Sequence, residues 1–330
     1  MAARISENGL SRQILTDVAN ARIQVAKYGE QVSSGYKVRT PGDTDISSTI
    51  SQFRQQVERI EGYKRSISSA TATIALQDDV LKQVSDLLIR AKELATQAAN
   101  EPNNSSARAT ISNELFGIRD AVINFANTTY QGRYIFGGFA DDQPPFNQVA
   151  GYTNPPTGEA SERYQYTAAP GANGTRTIKV SEDVSVDVNT PGSNIFSNIV
   201  YGLEKLGRSL AGYDTNLVGG VPDGTGNAYV FPGDLDVQTR HIRESLDMLD
   251  SARDNDLMPE RVDLGARLNR LEMASSILEV NKTNAEDLLG KLQNADPVES
   301  ISNLTQAQSA LDAALQVTVR VLRQSILDYI

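Results

Sequence analysis

Apolar residues near the start of the chain recur in alternating steps of four and three: Ile14, Val18, Ala21, Val25, Tyr28 and Val32. That rhythm keeps one narrow seam on a single helix face, which is what a coiled coil needs. Ser33, Ser34 and Gly35 end the run, and a loop with Pro41 and Gly42 follows. The period resumes at Ile46, Ile50, Phe53, Val57, Ile60, Ile67 and Ile74, with Lys64 and Thr71 in two seam places. Val80, Val84, Leu87, Ala91, Leu94 and Ala98 continue the apolar face. A single helix over 46–98 would be about 80 Å long at about 1.5 Å per residue, whereas a compact globule of this length is about 50 Å across. The spacing therefore predicts a rod. Gly62 lies inside the helix, costs about 1 kcal/mol relative to Ala, and marks a place for a local bend.

A turn over 100–104, containing Pro102, reverses the chain, and Ile111, Leu115, Ile118, Val122 and Phe125 predict a third helix antiparallel to the second. Ile242, Leu246 and Leu249 begin a return path. After Pro259 it continues with Leu264, Leu268, Leu271, Leu278, Ala285, Leu289 and Leu292. Asp296, Pro297 and Glu299 make a helix start: a carboxylate cap, proline at the first helical position and a glutamate able to reach back. The last helix carries Leu304, Leu311 and Leu315, then Val319, Leu322 and Ile326 after an extra four-residue step.

Between the helical flanks the pattern changes. Residues 141–234 hold 8 of the 12 prolines and 13 of the 24 glycines, so turns concentrate there. Tyr164 and Tyr166 alternate before Asn173-Gly174, and Ile178 and Val180 after it, which predicts a hairpin. Val184, Val186 and Val188 suggest another strand, and Phe196, Ile199, Leu203, Leu206 and Leu210 a helix on the small sheet. With 5 basic against 11 acidic residues, this segment adds nothing to the helical seams, so a chain joined from Ala140 to Leu235 is expected to keep its function. The fold class is mainly α with a small α+β insert. The expected domains are 1–40 with 294–330, 41–140 with 235–293, and an outer, β-rich 141–234.

Composition narrows the chemistry. The 330 residues suit two or three domains, yet Cys and Trp are absent and His occurs once. This removes disulfides, thiol nucleophiles, thiolate zinc sites and His-rich metal cages. A formal net charge of -10 with no basic stripe argues against a nucleic-acid partner. No run of eighteen apolar residues predicts membrane insertion, and the N-terminus lacks the apolar stretch of a cleaved signal peptide.

Individual candidates for chemistry give little. His241 is expected to be a solvated surface residue, since no nucleophile motif accompanies it. Gly219, Gly220, Gly224 and Gly226 are not followed by the Lys-Ser or Lys-Thr of a phosphate loop. Asp43 with Asp45, and Asp141 with Asp142, lack the remaining ligands of a calcium loop and are expected to cap helices or face water. A glycosidase would need paired carboxyls about 5 to 9.5 Å apart, and the insert has no Trp and few aromatics to seat a sugar. Neither an enzyme nor a cofactor is expected. The aromatic run Gly132-Arg133-Tyr134-Ile135-Phe136-Gly137-Gly138-Phe139 predicts a short β segment with Tyr134, Phe136 and Phe139 packed on the helices.

That run resembles the Gly-x-Tyr-x-Phe-x-Gly segment of the hook-associated protein 3 family, flagellar hook-filament junction proteins related to flagellin. Gln31-Val32-Ser33-Ser34-Gly35-Tyr36-Lys37-Val38-Arg39-Thr40-Pro41 resembles the family signature after the first helix. Gly265-Ala266-Arg267-Leu268-Asn269-Arg270-Leu271-Glu272 resembles its return-helix signature, and Ile326-Leu327-Asp328-Tyr329-Ile330 its ending. Asp43-Thr44-Asp45 stands where the family more often has paired aspartates before a proline.

The resemblance implies an elongated flagellin-like rod of long helices, with N- and C-terminal arms paired as a coiled coil and the insert projecting outward. Residues 1–40 carry six basic and three acidic side chains, and 296–330 two and four, a weak complementarity that guides orientation. The implied function is a non-enzymatic structural adaptor, with flagellin itself as the alternative and a carbohydrate-active enzyme as a distant one. The expected assembly seam is Ile14, Val18, Val25, Tyr28, Val32, Leu304, Leu311, Leu315, Val319, Leu322 and Ile326. Implied partners are the preceding hook-associated junction protein, flagellin, identical subunits in a ring, and an export chaperone on the C-terminal helix. The implied location is extracellular, reached by type III export without a cleaved signal.

Overall fold

A computed structural model describes residues 2–37, 47–100, 105–149, 153–154, 159–160, 163–166, 173–212, 217–218, 221–222 and 235–327. Side chains are described within 12–37, 47–99, 107–147, 173–212 and 236–320. Three helices come first: α1 (Ala2–Ser34), α2 (Ser47–Asn100) and α3 (Ser105–Ala126). Strands β1 (Thr129–Tyr130), β2 (Arg133–Tyr134), β3 (Phe146–Val149), β4 (Thr153–Asn154), β5 (Glu159–Ala160), β6 (Arg163–Tyr166), β7 (Thr177–Lys179) and β8 (Ser185–Asp187) follow. Then come α4 (Ser193–Ala211), β9 (Leu217–Val218), β10 (Val221–Pro222), α5 (Leu235–Ser251), a π-helical segment (Ala252–Leu257), α6 (Met258–Gln293) and α7 (Pro297–Leu327). The fold is mainly α with short two-stranded pieces of sheet, as the hydrophobic pattern predicts.

The chain forms two compact units, Met1–Glu61 with Glu279–Ile330, and Gly62–Leu278. In the first, α1 ends at Gly35, whose φ of +74° is a left-handed conformation open to glycine. The Gly35 amide donates to the Gln31 carbonyl at 2.9 Å. Beyond it the chain is tied to the corner between α6 and α7: the Lys37 amide donates to the Gln293 carbonyl, the Ala295 amide to the Gly35 carbonyl, and Tyr36 bridges Asn294. Asp296 caps α7, its carboxylate accepting the amides of Val298 at 2.8 Å and Glu299 at 3.3 Å, with Pro297 at the first helical position.

In the second unit, α2 buries Ile67, Ala70, Ile74, Gln77, Leu81, Val84, Leu88, Ala91, Ala95 and Ala98, an unbroken three-four alternation. The seam thus turns on Ala70 and Gln77, with Thr71 exposed, and on Leu88 with Leu87 only half-buried. The helix runs through Gly62 without a break. Ion pairs link α2 to its neighbours: Arg90 to Glu114 of α3, Lys92 to Asp250 of α5, and Asp78 to Arg261 of α6.

Two expectations are corrected here, and the join between α5 and α6 is a third finding. The strands flanking Asn173-Gly174 do not pair with each other; β6 pairs with β3 and β7 with β8, both antiparallel. Asn173 accepts the Ser193 hydroxyl and the Gly174 carbonyl accepts the Asn189 side chain, so this dipeptide is fixed at the start of α4, while the three-residue turn after Val180 closes the hairpin instead. Helix α4 packs chiefly on α3 and α5, and not mainly on a small sheet. It is buried almost all round, from Ile195 to Leu210. Finally, α5 and α6 are joined through the π segment without a loop. Proline lacks an amide hydrogen and its ring crowds the carbonyl four residues earlier, and the wider π turn directly before Pro259 accommodates that defect.

Candidate assembly surface

The first unit holds the predicted pairing of the chain ends: α7 lies close against α1. On α1 Ile14, Val18, Ala21, Val25 and Tyr28 are half-buried, as are Gly29, Gln31 and Ser34, while Val32 is exposed. On α7 the facing stripe is Leu304, Ala307, Leu311, Ala314 and Thr318, again in steps of three and four, with Ala307 buried and the others half-buried. A Cβ placed on Gly29 would lie 3.9 Å from Leu304 Cδ1, so small residues on both helices allow the close approach.

Leu315 and Val319 lie off this stripe, 38% and 51% exposed. The three-four step simply continues past Leu311, so the four-residue shift read from sequence moves to a neighbouring face. Leu322 and Ile326 fall on the part of α7 whose side chains are not described. Leu15, Ile23, Val298, Ile301 and Val317 are also exposed. The coiled coil therefore carries apolar side chains on its outside as well as in its seam.

In the second unit the aromatic run is a clasp. β1 and β2 form a hairpin turning at Gln131 and Gly132, with φ of 51° and 77°. Ile135 and Phe136 are buried, and Phe136 and Phe146 meet the Phe196 ring of α4 edge-on, at 4.9 and 6.0 Å between centroids. The fully buried Gln77 of α2 donates to the Ile135 carbonyl at 2.8 Å. Tyr134 is half-buried, but Phe139 departs from expectation: it is exposed and lies against Gly174, where a Cβ would come within 2.2 Å of the ring.

Asp141 is buried and paired with Arg133 and Arg176, so it neither caps a helix nor faces water. Burial works to raise its pKa, but hydrogen bonds from Arg176 and Arg133 outweigh it and hold the carboxyl below the ordinary aspartate value. Under α4, Glu204 pairs with Arg119 of α3 and, at 2.7 Å, with Arg208. Desolvation opposes the charge on Arg119, yet Glu204 and Asp120 keep its pKa raised. Lys205 binds Glu244 of α5 at 2.9 Å and lowers its pKa. The Glu204 and Lys205 pairs were not legible in the sequence, where each is one charge among many on an amphipathic helix, and Asp141 stood out there only as half of an acidic pair.

His241 is half-buried on α5, and its carbonyl accepts the Ser245 hydroxyl at 2.7 Å. Asp43, Asp45, Gly219, Gly220, Gly224, Gly226, Tyr164 and Tyr166 lie outside the described residues or, for the tyrosines, are described in backbone alone. Among the described residues, no three His, Cys, Asp or Glu side chains come together to hold a metal ion, and no helix is long and apolar enough to cross a membrane.

Long helices whose chain ends pair define a helical subunit of the flagellin type. The chain belongs to the bacterial flagellin family: the flagellin N-terminal helical region matches residues 5–141, and the C-terminal helical region residues 246–330. Over nearly its whole length it is similar to flagellar hook-associated protein 3 of Escherichia coli and of Salmonella typhimurium, in each case 26% identical over 94% of both chains. Flagellin of Bacillus subtilis is 22% identical over 92% of this chain and 91% of its own length. Among solved structures, a flagellar hook-associated protein of Vibrio parahaemolyticus covers 77% of this chain and all of its own (TM-score 0.58, 17% identity). FlgL of Xanthomonas campestris covers 69% and 98% (TM-score 0.53, 15% identity), and both share the fold.

Proposed function

We propose that this protein is a structural adaptor of the bacterial flagellum, joining the hook-associated zone to the flagellin filament by helix packing. The observation that carries it is the pairing of α1 with α7, which leaves several apolar side chains of both helices exposed. A lone chain leaves Leu15, Ile23, Leu315 and Val319 in water, and helices of like pattern are the partners that cover them. Relatives named for the hook align from end to end, and flagellins share both helical regions. A subunit of flagellin type at that boundary offers one side to the preceding hook-associated junction protein and the other to flagellin.

The seam residues divide the work. Ile14, Val18, Val25, Tyr28, Leu304 and Leu311 hold the two arms together, while Val32, Leu315, Val319, Leu322 and Ile326 meet neighbouring subunits. Residues 1–40 with 294–330 act as the terminal coiled coil, 41–140 with 235–293 as the helical rod, and 141–234 as the outer insert anchored by α4. Identical subunits form a ring. The chain is exported through the flagellar type III apparatus without a cleaved signal, escorted by a chaperone on its C-terminal helix, and works outside the cell without catalysis.

Deleting the gene in the source bacterium should leave hooks in place while flagellin accumulates in the medium. Re-expression should restore attached filaments. Filaments still attached in the deletion strain overturn the proposal.

A further inference from the structure

The second unit contains a pocket of about 520 Å³ between α2, the β1–β2 hairpin and the base of the β7–β8 hairpin. Arg65, Arg133 and Arg176 line it, with Asp141 beside them. Asp141 pairs with Arg133 and Arg176, and Arg65 makes no ion pair among the described residues. Three arginines and one carboxylate thus line the pocket, a local positive excess in a chain of net charge -10. Guanidinium forks match carboxylates in shape as well as charge.

The opposite pattern lies at the far end of the same hairpin. The Val180 amide donates to the Val184 carbonyl at 2.9 Å and closes a loop of Ser181, Glu182 and Asp183. Glu182 and Asp183 are exposed and make no ion pair among the described residues, and Val184 beside them is 51% exposed. Ile178 and Val188 line the pocket. The acidic pair lies four residues beyond Ile178 on one strand and five from Val188 on the other, about 13 to 16 Å away at about 3.3 Å per residue. Held out by its own strands, the tip cannot enter its own pocket. The matching surface belongs to another molecule.

We propose that the Glu182–Asp183 tip of one copy docks into the Arg65, Arg133 and Arg176 pocket of a second copy. Tip and pocket are different patches, so the contact runs head to tail, and repetition closes a ring or extends a helix. Exposed charge pairs of this kind orient partners more than they stabilise them, which predicts weak, salt-sensitive association. The inference does not depend on where in the flagellum the copies sit.

The chain has no cysteine, so disulfide trapping carries no background. Full-length Ser66→Cys and Val184→Cys proteins, altered at two exposed positions, are mixed and mildly oxidised. The expected product is a dimer joining one of each, and a chain carrying both substitutions should give a ladder. Product should be lost in about 1 M salt, where the screening length falls to about 3 Å. It should also be lost with Arg65→Glu, and return when that chain is paired with an Asp183→Arg partner. Circular dichroism checks that every variant is folded, and Arg65→Gln serves if Arg65→Glu is not. Monomer only, like-with-like dimers only, or a ladder indifferent to the Arg65 substitution and to salt overturns the proposal.

Discussion

Asp141 is a carboxylate taken out of water and kept charged by two arginines. Its folded pKa lies below the ordinary 3.8, so the unfolded chain takes up the proton first as pH falls. The stabilisation is complete above the unfolded value and is lost as pH drops through the folded one. The native protein should therefore lose more of its thermal midpoint between about pH 5 and pH 3 than an Asp141→Asn variant, which starts lower at neutral pH. Equal slopes in melts followed by circular dichroism would contradict this. Glu204 is a stronger case, because its removal takes one carboxylate from two buried arginines, Arg119 and Arg208, with Asp120 still paired to the first. Glu204→Gln should destabilise the second unit by about 3 to 5 kcal/mol, on the order of a 10 °C fall in midpoint. A fall of only a degree or two would show that Asp120 compensates. Gln77 has the same logic: it interrupts an apolar seam because a backbone carbonyl 58 residues away needs its amide. Such partners are set by tertiary packing, which is why the sequence does not show what any of the three binds.

Helices were legible because their seams are local. The stop at Gly35, the cap at Asp296 and the continuity of α2 all follow from residues within one or two turns. What the local period could not tell is which of two adjacent apolar faces turns inward, since Leu311 is followed by both Ala314 and Leu315. The structure puts Ala314 toward α1 and leaves Leu315 outside. This gives a contrast between two substitutions of one chemistry. Val25→Asp places a charge in the seam and should separate the arms, lowering helix content of the free protein. Leu315→Asp should leave the free protein's circular dichroism unchanged and yet prevent filament attachment. Loss of helix in both, or attachment in both, would contradict the division of the seam. Helix α4 makes the companion point. The sequence placed it in a turn-rich insert, but its burial against α3 and α5 makes it part of the second unit's core. Joining Ala140 to Leu235 is now expected to unfold that unit, whereas shortening only the stretch between Ala211 and Leu235 should be tolerated. Thermal melts of the two deletions decide it.

For the whole molecule, the absence of Cys, the single His and the acidic balance removed most chemistry before any fold was in hand. What remained was packing: a chain whose two ends find each other across the entire sequence and still present apolar side chains outward. Flagellin-type helical regions at both ends make it a member of the flagellin family, and it is somewhat more similar to the hook-associated relatives, 26% identical, than to the Bacillus subtilis flagellin, 22% identical, over much the same length. Position along the organelle is the property that distinguishes the two. Immunogold labelling of purified hook-basal bodies with attached filaments, using antibody raised against this chain, reads that position directly. The account predicts gold confined to a short zone where hook meets filament; gold distributed along the filament would contradict it and make the protein a flagellin.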